Sequence, residues 1–561
     1  MSPRTRSIVL AIAAGLALAD ASIVTLALPE VLVQLDTSVE GVAAVIGVYA
    51  LVLAVALVPV ERLQRTHGAP LVGAAGMALF GLASLLCGVA GSVVLLLVGR
   101  ALQAVGGAAT LIAVFALLED GHGADRAHAK RLWLGAAVLS AAVGPALGGA
   151  LTQAFDWRAI FLFQTPVALA AAWVCRTTPT RDPAVLAADD DAPGPRWAAQ
   201  PTVALALVSA ALTAVLFLLV LLLVAGWSVD PLRAALTVSV LPAAALVGSR
   251  IGGDATHRAA AGSLLIGAGT LALAFLPDDR LLWTVAPQVL AGLGMGLALP
   301  ALGGELLPER TGRDAAWLLT TRHVGIFAII AVLGSITATR LEDATQRARE
   351  RGVAVALDAR LPPQQKVSLA PALLGSVDAA DPRGALLEAL DRERASLDPE
   401  DLPEYDRMAS RVDETLIAAV GESFDVAFLV TGGLAVLAAL VLAPKAPPPS
   451  VRTGALLGVT LVVTAAAPAL YAREQDDRRP TPIALLDPCT AERQLPGSGG
   501  LSGFVQDRAL EALDTSACEL GSSREELVLA LADPQDADRF EERYGRRPSA
   551  GNIITSLLFG G

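Results

Sequence analysis

Charged residues are scarce in this chain. Asp, Glu, Lys and Arg make up 17% of its 561 residues, whereas soluble globular proteins contain roughly 25%. Hydrophobic residues make up 54%, and the mean hydropathy is +0.58. The apolar runs are continuous and do not alternate with polar residues, which excludes the strands of a membrane β-barrel. The composition therefore predicts an all-α polytopic membrane protein with the lipid bilayer as its surroundings.

Aromatic residues and cysteines are also few. Aromatic side chains account for 4% of the chain, so Ala, Leu, Val and Gly build the apolar runs, a composition that favours close helix packing in lipid. The four cysteines form no CxxC or Cys/His cluster, and we expect no metal and no cofactor. The net charge of −12 arises mainly in two large soluble segments and does not indicate a nucleic-acid partner.

Apolar windows of about 20 residues predict thirteen membrane spans. The start resembles a signal peptide, but the apolar run resumes after Asp20, so we interpret it as an uncleaved first span. Lys and Arg concentrate in alternate loops, and the positive-inside rule then places the N-terminus in the cytoplasm and the C-terminus outside it. The chain is expected in the plasma (inner) membrane. The spans lie near residues 7–34, 41–60, 70–90, 92–118, 132–154, 158–175, 202–226, 232–251, 260–277, 282–303, 316–339, 424–443 and 454–472.

These spans divide the chain into two six-helix bundles with additions. A linker rich in Asp and Pro would join the bundles in the cytoplasm, and a charged insertion and a small helical domain would lie outside. Cys489 and Cys518 are the two cysteines of the exported tail, where a disulfide would persist, so we expect a bridge between them. The predicted parts are the first bundle 1–176, the linker 177–201, the second bundle 202–443 with its insertion 341–423, the thirteenth span within 444–472, and the C-terminal domain 473–561.

One span contains glycine and proline at close intervals: Gly144, Pro145, Gly148 and Gly149. In water such a helix would be penalised. In a bilayer, neighbouring helices satisfy the freed backbone groups, and glycines allow two backbones to approach closely. The pattern predicts close helix packing, and we also interpret this helix as the place where the two halves rock against each other.

Several motifs extend the pattern of two bundles joined by a cytoplasmic linker. Residues 20–29 (DASIVTLALP), 99–107 (GRALQAVGG), 144–149 (GPALGG) and 157–161 (WRAIF) resemble signatures of the major facilitator superfamily, in its drug/proton antiporter branch. The resemblance covers residues 1 to about 340 and 424–443. It implies two related bundles with a substrate site between them, a path lined by the 144–149 glycines, and Gln164 where the family commonly has asparagine.

The loop after the second span departs from this family's pattern. Arg62 and Gly68 match it, but the family's aspartate is missing, so either Glu61 substitutes for it or the gating differs. Asp254 belongs to a loose echo of the same motif in the second half. The resemblance implies a cytoplasmic gate at these four residues.

Asp20 and Arg100 are charged residues within predicted spans. A carboxyl group deep in a membrane costs about 2.5–3.5 kcal/mol on insertion scales, so it needs a partner, water or a proton. Asp20 is therefore a candidate for proton coupling, and a fixed bond to a neighbouring helix is the alternative. Arg100 would face the bundle interior, either as a tie to an acid or as a group that tunes a neighbour's proton affinity. Gln103, one turn along, would bond between helices or line the path.

Arg322 and His323 stand near the start of the eleventh predicted span. We interpret them as interfacial side chains whose heads reach water, and a role in proton coupling is the alternative.

Together these patterns predict a secondary active transporter, not an enzyme. It would export a hydrophobic or cationic small molecule in exchange for protons by alternating access. One alternative is export of an endogenous lipid or metabolite, and another is a non-transporting sensor or scaffold that uses its outer domains. The expected partners are the substrate, protons and an extracytoplasmic partner of the insertion and tail, and the protein is expected to act as a monomer.

Overall fold

The computed structural model describes residues 2–122, 143–179, 199–306, 312–362, 365–366, 382–443, 448, 450–478, 483–491, 496 and 500–548. Within these ranges every regular element is a helix and none is a strand, so the all-α prediction is confirmed. We number the helices α1 to α19 in chain order.

The first seven helices belong to the first half of the chain. They are α1 (Pro3–Thr25), α2 (Leu28–Gln34), α3 (Val39–His67), α4 (Ala69–Gly88), α5 (Val93–His122), α6 (143–154) and α7 (Arg158–Thr177).

The remaining helices vary more in length, and two of them end in a single π-helical turn. They are α8 (Ala199–Leu221, then the π turn Leu222–Gly226), α9 (Pro231–Val238), α10 (Val240–Gly248), α11 (Ala255–Leu273), α12 (Leu281–Pro300, then the π turn Ala301–Glu305), α13 (Gly312–Asp358), α14 (Pro382–Arg394), α15 (Leu402–Leu442), α16 (Val451–Arg478), α17 (Gly500–Leu520), α18 (Arg524–Ala532) and α19 (Pro534–Tyr544).

Local sequence signals determine several helix ends. Ser38 caps α3 by accepting a hydrogen bond from the Gly41 N–H, as N-cap serines do. Gly68 then separates α3 from α4 with a φ of +82°, a conformation that favours glycine because a Cβ atom would be strained there. Pro29 lies in the first turn of α2, so the apolar run predicted as one span over 7–34 forms two helices.

Eleven helices in the described part of the chain are long and apolar enough to cross a membrane. They correspond to eleven of the thirteen predicted spans. The span predicted at 132–154 lies partly outside the described residues, which resume at 143. The span predicted at 260–277 corresponds to α11, which is not among the eleven; His257 and Arg258 in its first turn lower its mean hydropathy.

The chain forms two compact units. The first unit comprises Met1–Val224, Val229–Ala338 and Phe424–Gln475, and the second comprises Ala225–Ser228, Thr339–Ser423 and Asp476–Gly561. The second unit combines the insertion and the C-terminal domain, which the sequence analysis treats as separate parts.

Within the first unit, helices of each half pack around a central member. In the first half α4 packs against both α5 and α7, and α3 packs against α5; in the second half α12 packs against α10 and α11. Helix α16 contacts α11 and α12. Its Thr464 hydroxyl donates to the Leu264 carbonyl, on α11, at 3.1 Å, and its Tyr471 hydroxyl donates to the Trp283 carbonyl, on α12, at 2.8 Å.

Buried charge pairs connect the insertion and the tail within the second unit. Arg349, on α13, donates to Asp536, on α19, at 2.8 Å, and both side chains are less than a tenth exposed. Arg524, fully buried at the start of α18, donates to Asp358 at 2.7 Å. Because the partners in each pair are more than 160 residues apart, these contacts fold the two segments into one body.

A disulfide joins Cys489 to Cys518, on α17. The next helix, α18, starts with a capping box in which Ser523 and Glu526 each bond to the other's backbone N–H, an arrangement that satisfies two otherwise unpaired donors. The bridge thus ties α17 to residue 489, and the cap starts the helix that follows it.

Candidate functional site

The first half of the first unit contains a fully buried ion pair. Asp20, on α1, accepts a hydrogen bond at Oδ2 from the Nη1 atom of Arg100, on α5, and neither side chain has exposed surface. The other oxygen of Asp20 accepts from Gln103 Nε2 at 3.2 Å and from Gln164 Nε2 at 3.1 Å. Both carboxylate oxygens therefore have donors, which a buried charge requires.

The network continues from this pair to three further helices. Arg100 donates from Nε to the Val45 carbonyl, on α3, at 3.2 Å and from Nη1 to Gln103 Oε1 at 2.6 Å. Gln103 Nε2 also lies 2.9 Å from the Ser84 hydroxyl, on α4, and 2.8 Å from Gln164 Oε1, on α7, so its two hydrogens serve three acceptors including Asp20. One connected set of side chains thus links α1, α3, α4, α5 and α7.

This geometry bears on the alternatives that the sequence leaves open for Asp20, Arg100 and Gln103. Asp20 bonds to a neighbouring helix through Arg100, and Asp20 is the acid that Arg100 binds. Gln103 bonds between helices. Gln164 stands where the resemblance implies an asparagine. It is one of three side chains that donate to the Asp20 carboxylate.

Tyr49 covers the ion pair on one side. The Arg100 guanidinium lies 4.3 Å from the centre of the Tyr49 ring, a cation–π distance. The Tyr49 hydroxyl donates to the Ala17 carbonyl, on α1, at 3.0 Å. Because Tyr49 also lines the cavity described next, this side chain lies against both the cavity and the ion pair.

A cavity of about 890 Å³, including its open part, lies between the two halves of the first unit. Its wall is mainly aliphatic, with five hydroxyl groups and two basic side chains. Sites that bind small molecules are commonly lined by apolar side chains with a few polar groups, as this cavity is. The lining residues are Ala17, Leu18, Ser22, Thr25, Ile46, Tyr49 and Ala50 from the first half, and Ser209, Leu212, Thr213, Leu216, Leu241, Met295, Leu299, Arg322, His323 and Ile326 from the second.

Helix α6 contacts both halves through its glycines. A Cβ atom on Gly144 would collide with Ser22, and one on Gly148 would collide with the backbone of Ile23, so this face of α6 lies directly on α1. A Cβ atom on Gly149 would lie 2.9 Å from the Pro231 carbonyl oxygen, at the start of α9. Pro145 is buried on the same helix.

The structure places the predicted gate residues at helix ends. Glu61 is buried and accepts from Arg65 Nε at 2.6 Å, one turn further along α3, whereas Arg62 is exposed. Asp254 caps α11: its carboxylate accepts from the backbone N–H of His257 at 3.1 Å and pairs with the His257 ring at 2.8 Å. Partial burial raises the pKa of Asp254, but these hydrogen bonds outweigh it and hold that pKa below the ordinary value.

Arg322 and His323 lie elsewhere than the sequence analysis expects. They line the cavity instead of reaching an interface, and His323 is 8% exposed. The sequence signal that could have identified them is depth, because Arg322 comes ten residues after the first residue of α13. Asp20, Arg100, Gln103 and Gln164, in contrast, are not among the lining residues that the structure describes.

Helices of membrane-spanning length come from both halves and contribute to this cavity, which defines the class as a multi-pass membrane protein. The chain belongs to the Major Facilitator Superfamily, whose family model matches residues 10–352. The family predicted from the motifs is thereby confirmed.

Relatives of known name are resistance and export proteins. The methylenomycin A resistance protein of Bacillus subtilis (strain 168) is 34% identical over 166 residues, which are 29% of this chain and 36% of that protein. The tetracenomycin C resistance and export protein of Streptomyces glaucescens is 33% identical over 165 residues, which are 29% of this chain and 31% of that protein. The chain thus matches about a third of the length of these relatives.

Solved transporter structures share the fold at low identity. A bacterial homologue of the human lysosomal transporter Spinster, crystallised inward-facing and unoccupied, matches with a TM-score of 0.54 and 15% identity over 80% of this chain and 99% of that one. The nucleoside transporter NupG matches with a TM-score of 0.51 and 10% identity over 80% of this chain and 100% of that one. At such identities the likeness establishes the major facilitator fold alone.

Proposed function

We propose that this protein exports hydrophobic small molecules in exchange for protons, by alternating access of the cavity between its two halves. The observation that carries the proposal is the cavity itself, because both halves supply its wall and the wall is mainly aliphatic. The likeness to proteins named for methylenomycin A and tetracenomycin C resistance supports a drug-like cargo.

Contacts between the halves support a rocking motion. A Cβ atom on Gly47, on α3, would lie 3.7 Å from the ring of Phe327, on α13. Nearby on the same two helices, the Thr320 hydroxyl donates to the Ala54 carbonyl at 3.2 Å. A second contact between the halves joins α6 to α9 through Gly149. A glycine at each place allows the halves to approach closely, and the proposed rocking would take place at these contacts.

In this proposal Asp20 releases and rebinds the proton. Its pairing with Arg100 is compatible with a charged state, and a rearrangement that separates the two groups would favour proton uptake, because an unpaired buried carboxylate is costly. The proximity of Tyr49 to both the cavity and the pair supports coupling between cargo and proton.

The test compares variants that remove one or both charges of the pair. Everted membrane vesicles with an acidic lumen should accumulate a neutral lipophilic fluorescent dye when they contain the wild-type protein. Asp20→Asn and the double variant Asp20→Asn/Arg100→Gln should both lose gradient-driven uptake, because neither has a carboxyl group at position 20. The matched control is Asp36→Asn, at an exposed position with a φ of 45° that suits asparagine, and it should transport normally.

The double variant separates coupling from structure. It leaves no unpaired buried charge, so it should fold even if a single variant does not. Gradient-driven uptake by the folded double variant would show that the pair only ties helices together, and the assignment of proton coupling to Asp20 would fail.

The second unit supports the predicted topology. Segments that fold together lie on one side of a membrane, so the chain between its two large segments must cross the bilayer an even number of times. Residues 424–442 of α15 and 451–475 of α16 offer two crossings. With a cytoplasmic N-terminus, both segments would then lie outside. Alkaline phosphatase fused after residue 561 should be active, and the same fusion within linker 177–201 should be inactive.

Export of an endogenous lipid or metabolite is the second candidate. The observation that favours it is the second unit, which offers an outer body that could receive cargo or bind a partner. Deleting residues 479–561, which keeps the whole of α16, should leave dye export intact under the first proposal. Loss of export by that truncated, membrane-inserted protein would favour the second candidate.

A further inference from the structure

The cavity contains a positive charge that nothing described in its wall offsets. Arg322 remains charged at any physiological pH, and no Asp or Glu is among the lining residues that the structure describes. Within the same ranges the Arg322 side chain has no hydrogen-bond or ion-pair partner, and its Nε atom is buried. Asp20 does not compensate it, because that carboxylate is already paired with Arg100.

His323 adds a second polar group beside this charge. Its Nδ1 atom lies 2.7 Å from the Leu319 carbonyl oxygen. A carbonyl oxygen can only accept, so Nδ1 carries a hydrogen, which assigns the tautomer of the neutral ring. Nε2 then remains for a ligand: it accepts from a bound acid, or donates if the ring takes up the proton.

A third polar group lies on the neighbouring helix. Helices α8 and α13 touch where a Cβ atom on Gly325 would lie 2.7 Å from the Ala206 carbonyl oxygen. Ser209 comes three residues after that contact on α8, Arg322 comes three residues before it on α13, and both line the same cavity. The Ser209 hydroxyl is buried, lines the cavity and has no hydrogen-bond partner in the described part of the chain.

We propose that Arg322, His323 and Ser209 form a subsite for the head group of a lipophilic organic anion, such as a carboxylate or a phenolate. The guanidinium can bind a carboxylate through two parallel hydrogen bonds, and the aliphatic wall, including Leu216 and Leu299, takes the hydrocarbon body. This inference rests on the proposed export function and names its substrate class.

The test measures binding to purified full-length protein in lipid nanodiscs. Three tritiated probes share one aromatic body and differ in head-group charge: 2-naphthylacetate, 2-naphthylacetamide and (2-naphthylmethyl)trimethylammonium. The wild type should bind the acetate about tenfold or more tightly than the other two, because one charge-assisted contact gives roughly a ten- to hundredfold difference in affinity.

Variants then locate the preference. Arg322→Gln should weaken acetate binding roughly ten- to hundredfold and leave amide binding unchanged, whereas Arg322→Lys should keep part of the preference because it keeps the charge. Arg280→Gln makes the same change at an exposed arginine outside the cavity lining, and it should alter none of the three affinities.

Three results would overturn the inference. They are equal or tighter binding of the ammonium probe by the wild type, unchanged acetate affinity in folded Arg322→Gln, and no saturable binding of any probe. The binding assay needs no proton gradient, so it distinguishes failure of the subsite from failure of the export function. If the protein prefers the acetate probe but shows no gradient-driven transport, the subsite is retained and the export function is refuted. Gradient-driven transport of the ammonium probe would support the export function and refute the anion subsite.

Discussion

Removing one charge of the Asp20–Arg100 pair should destabilise the protein more than removing both. Both side chains are 0% exposed, so a single change leaves its partner as an unpaired buried charge. Such a loss costs about 3–5 kcal/mol. The double variant Asp20→Asn/Arg100→Gln retains hydrogen-bonding groups and should cost about 1–3 kcal/mol, the range of an imperfectly satisfied buried polar group.

The two single costs would therefore fail to add. Their sum is about 6–10 kcal/mol, so the coupling energy of the pair should be at least about 3 kcal/mol. The measurement is SDS-induced unfolding in mixed micelles, followed by tryptophan fluorescence, for the wild type and the three variants.

A pair near the surface provides the control. Asp156 and Arg158 form an ion pair at 3.1 Å with 37% and 29% of their side chains exposed, and water screens such pairs, so their coupling should stay below about 1 kcal/mol. A coupling below about 0.5 kcal/mol for Asp20 and Arg100 would refute the view that this pair is held as a unit.

Three further predictions concern α6, the second-half loop and the second unit. Gly149→Val should collide with Pro231 and Ala235 and slow dye transport about tenfold or more, whereas Ala150→Val, at the exposed neighbour, should not; equal rates in vesicle assays would contradict this. Asp254→Ala should cost about 1 kcal/mol at neutral pH through the lost cap. Since the folded-state pKa of Asp254 lies below its ordinary 3.8, this contribution is present above pH 3.8 and disappears as the pH falls through the lower value. Asp254→Asn should keep the cap and lose only the charge, so a transport defect in this variant would indicate a gate. Cys489→Ser/Cys518→Ser should weaken the second unit by about 2–4 kcal/mol, seen as faster proteolysis; unchanged proteolysis would mean that the buried pairs suffice.

The sequence predicted the buried charges better than their geometry. It indicated that Asp20 and Arg100 each need a partner, because a lone charge in a membrane is costly. It could not establish that each is the other's partner, since 80 residues separate them and the rotation of each helix about its axis depends on packing.

Charge position along a span was a poorer guide. Arg322 and His323 stand near the start of an apolar run, which is typical of interfacial side chains, yet α13 begins early enough to carry them into the cavity wall. The joining of the insertion with the tail was likewise beyond the sequence, because it depends on pairs such as Arg349 with Asp536, 187 residues apart.

Tyr49 has a consequence for energy conservation. A carrier that lets protons return without cargo dissipates the membrane potential, and each leaked charge forfeits about 2.3 kcal/mol per 100 mV. Tyr49 packs on Arg100 and faces the cavity, so water in the cavity meets a phenol ring before it meets the ion pair. If Asp20 exchanges protons as proposed, the position of the Tyr49 ring determines whether protons cross only together with cargo or also without it.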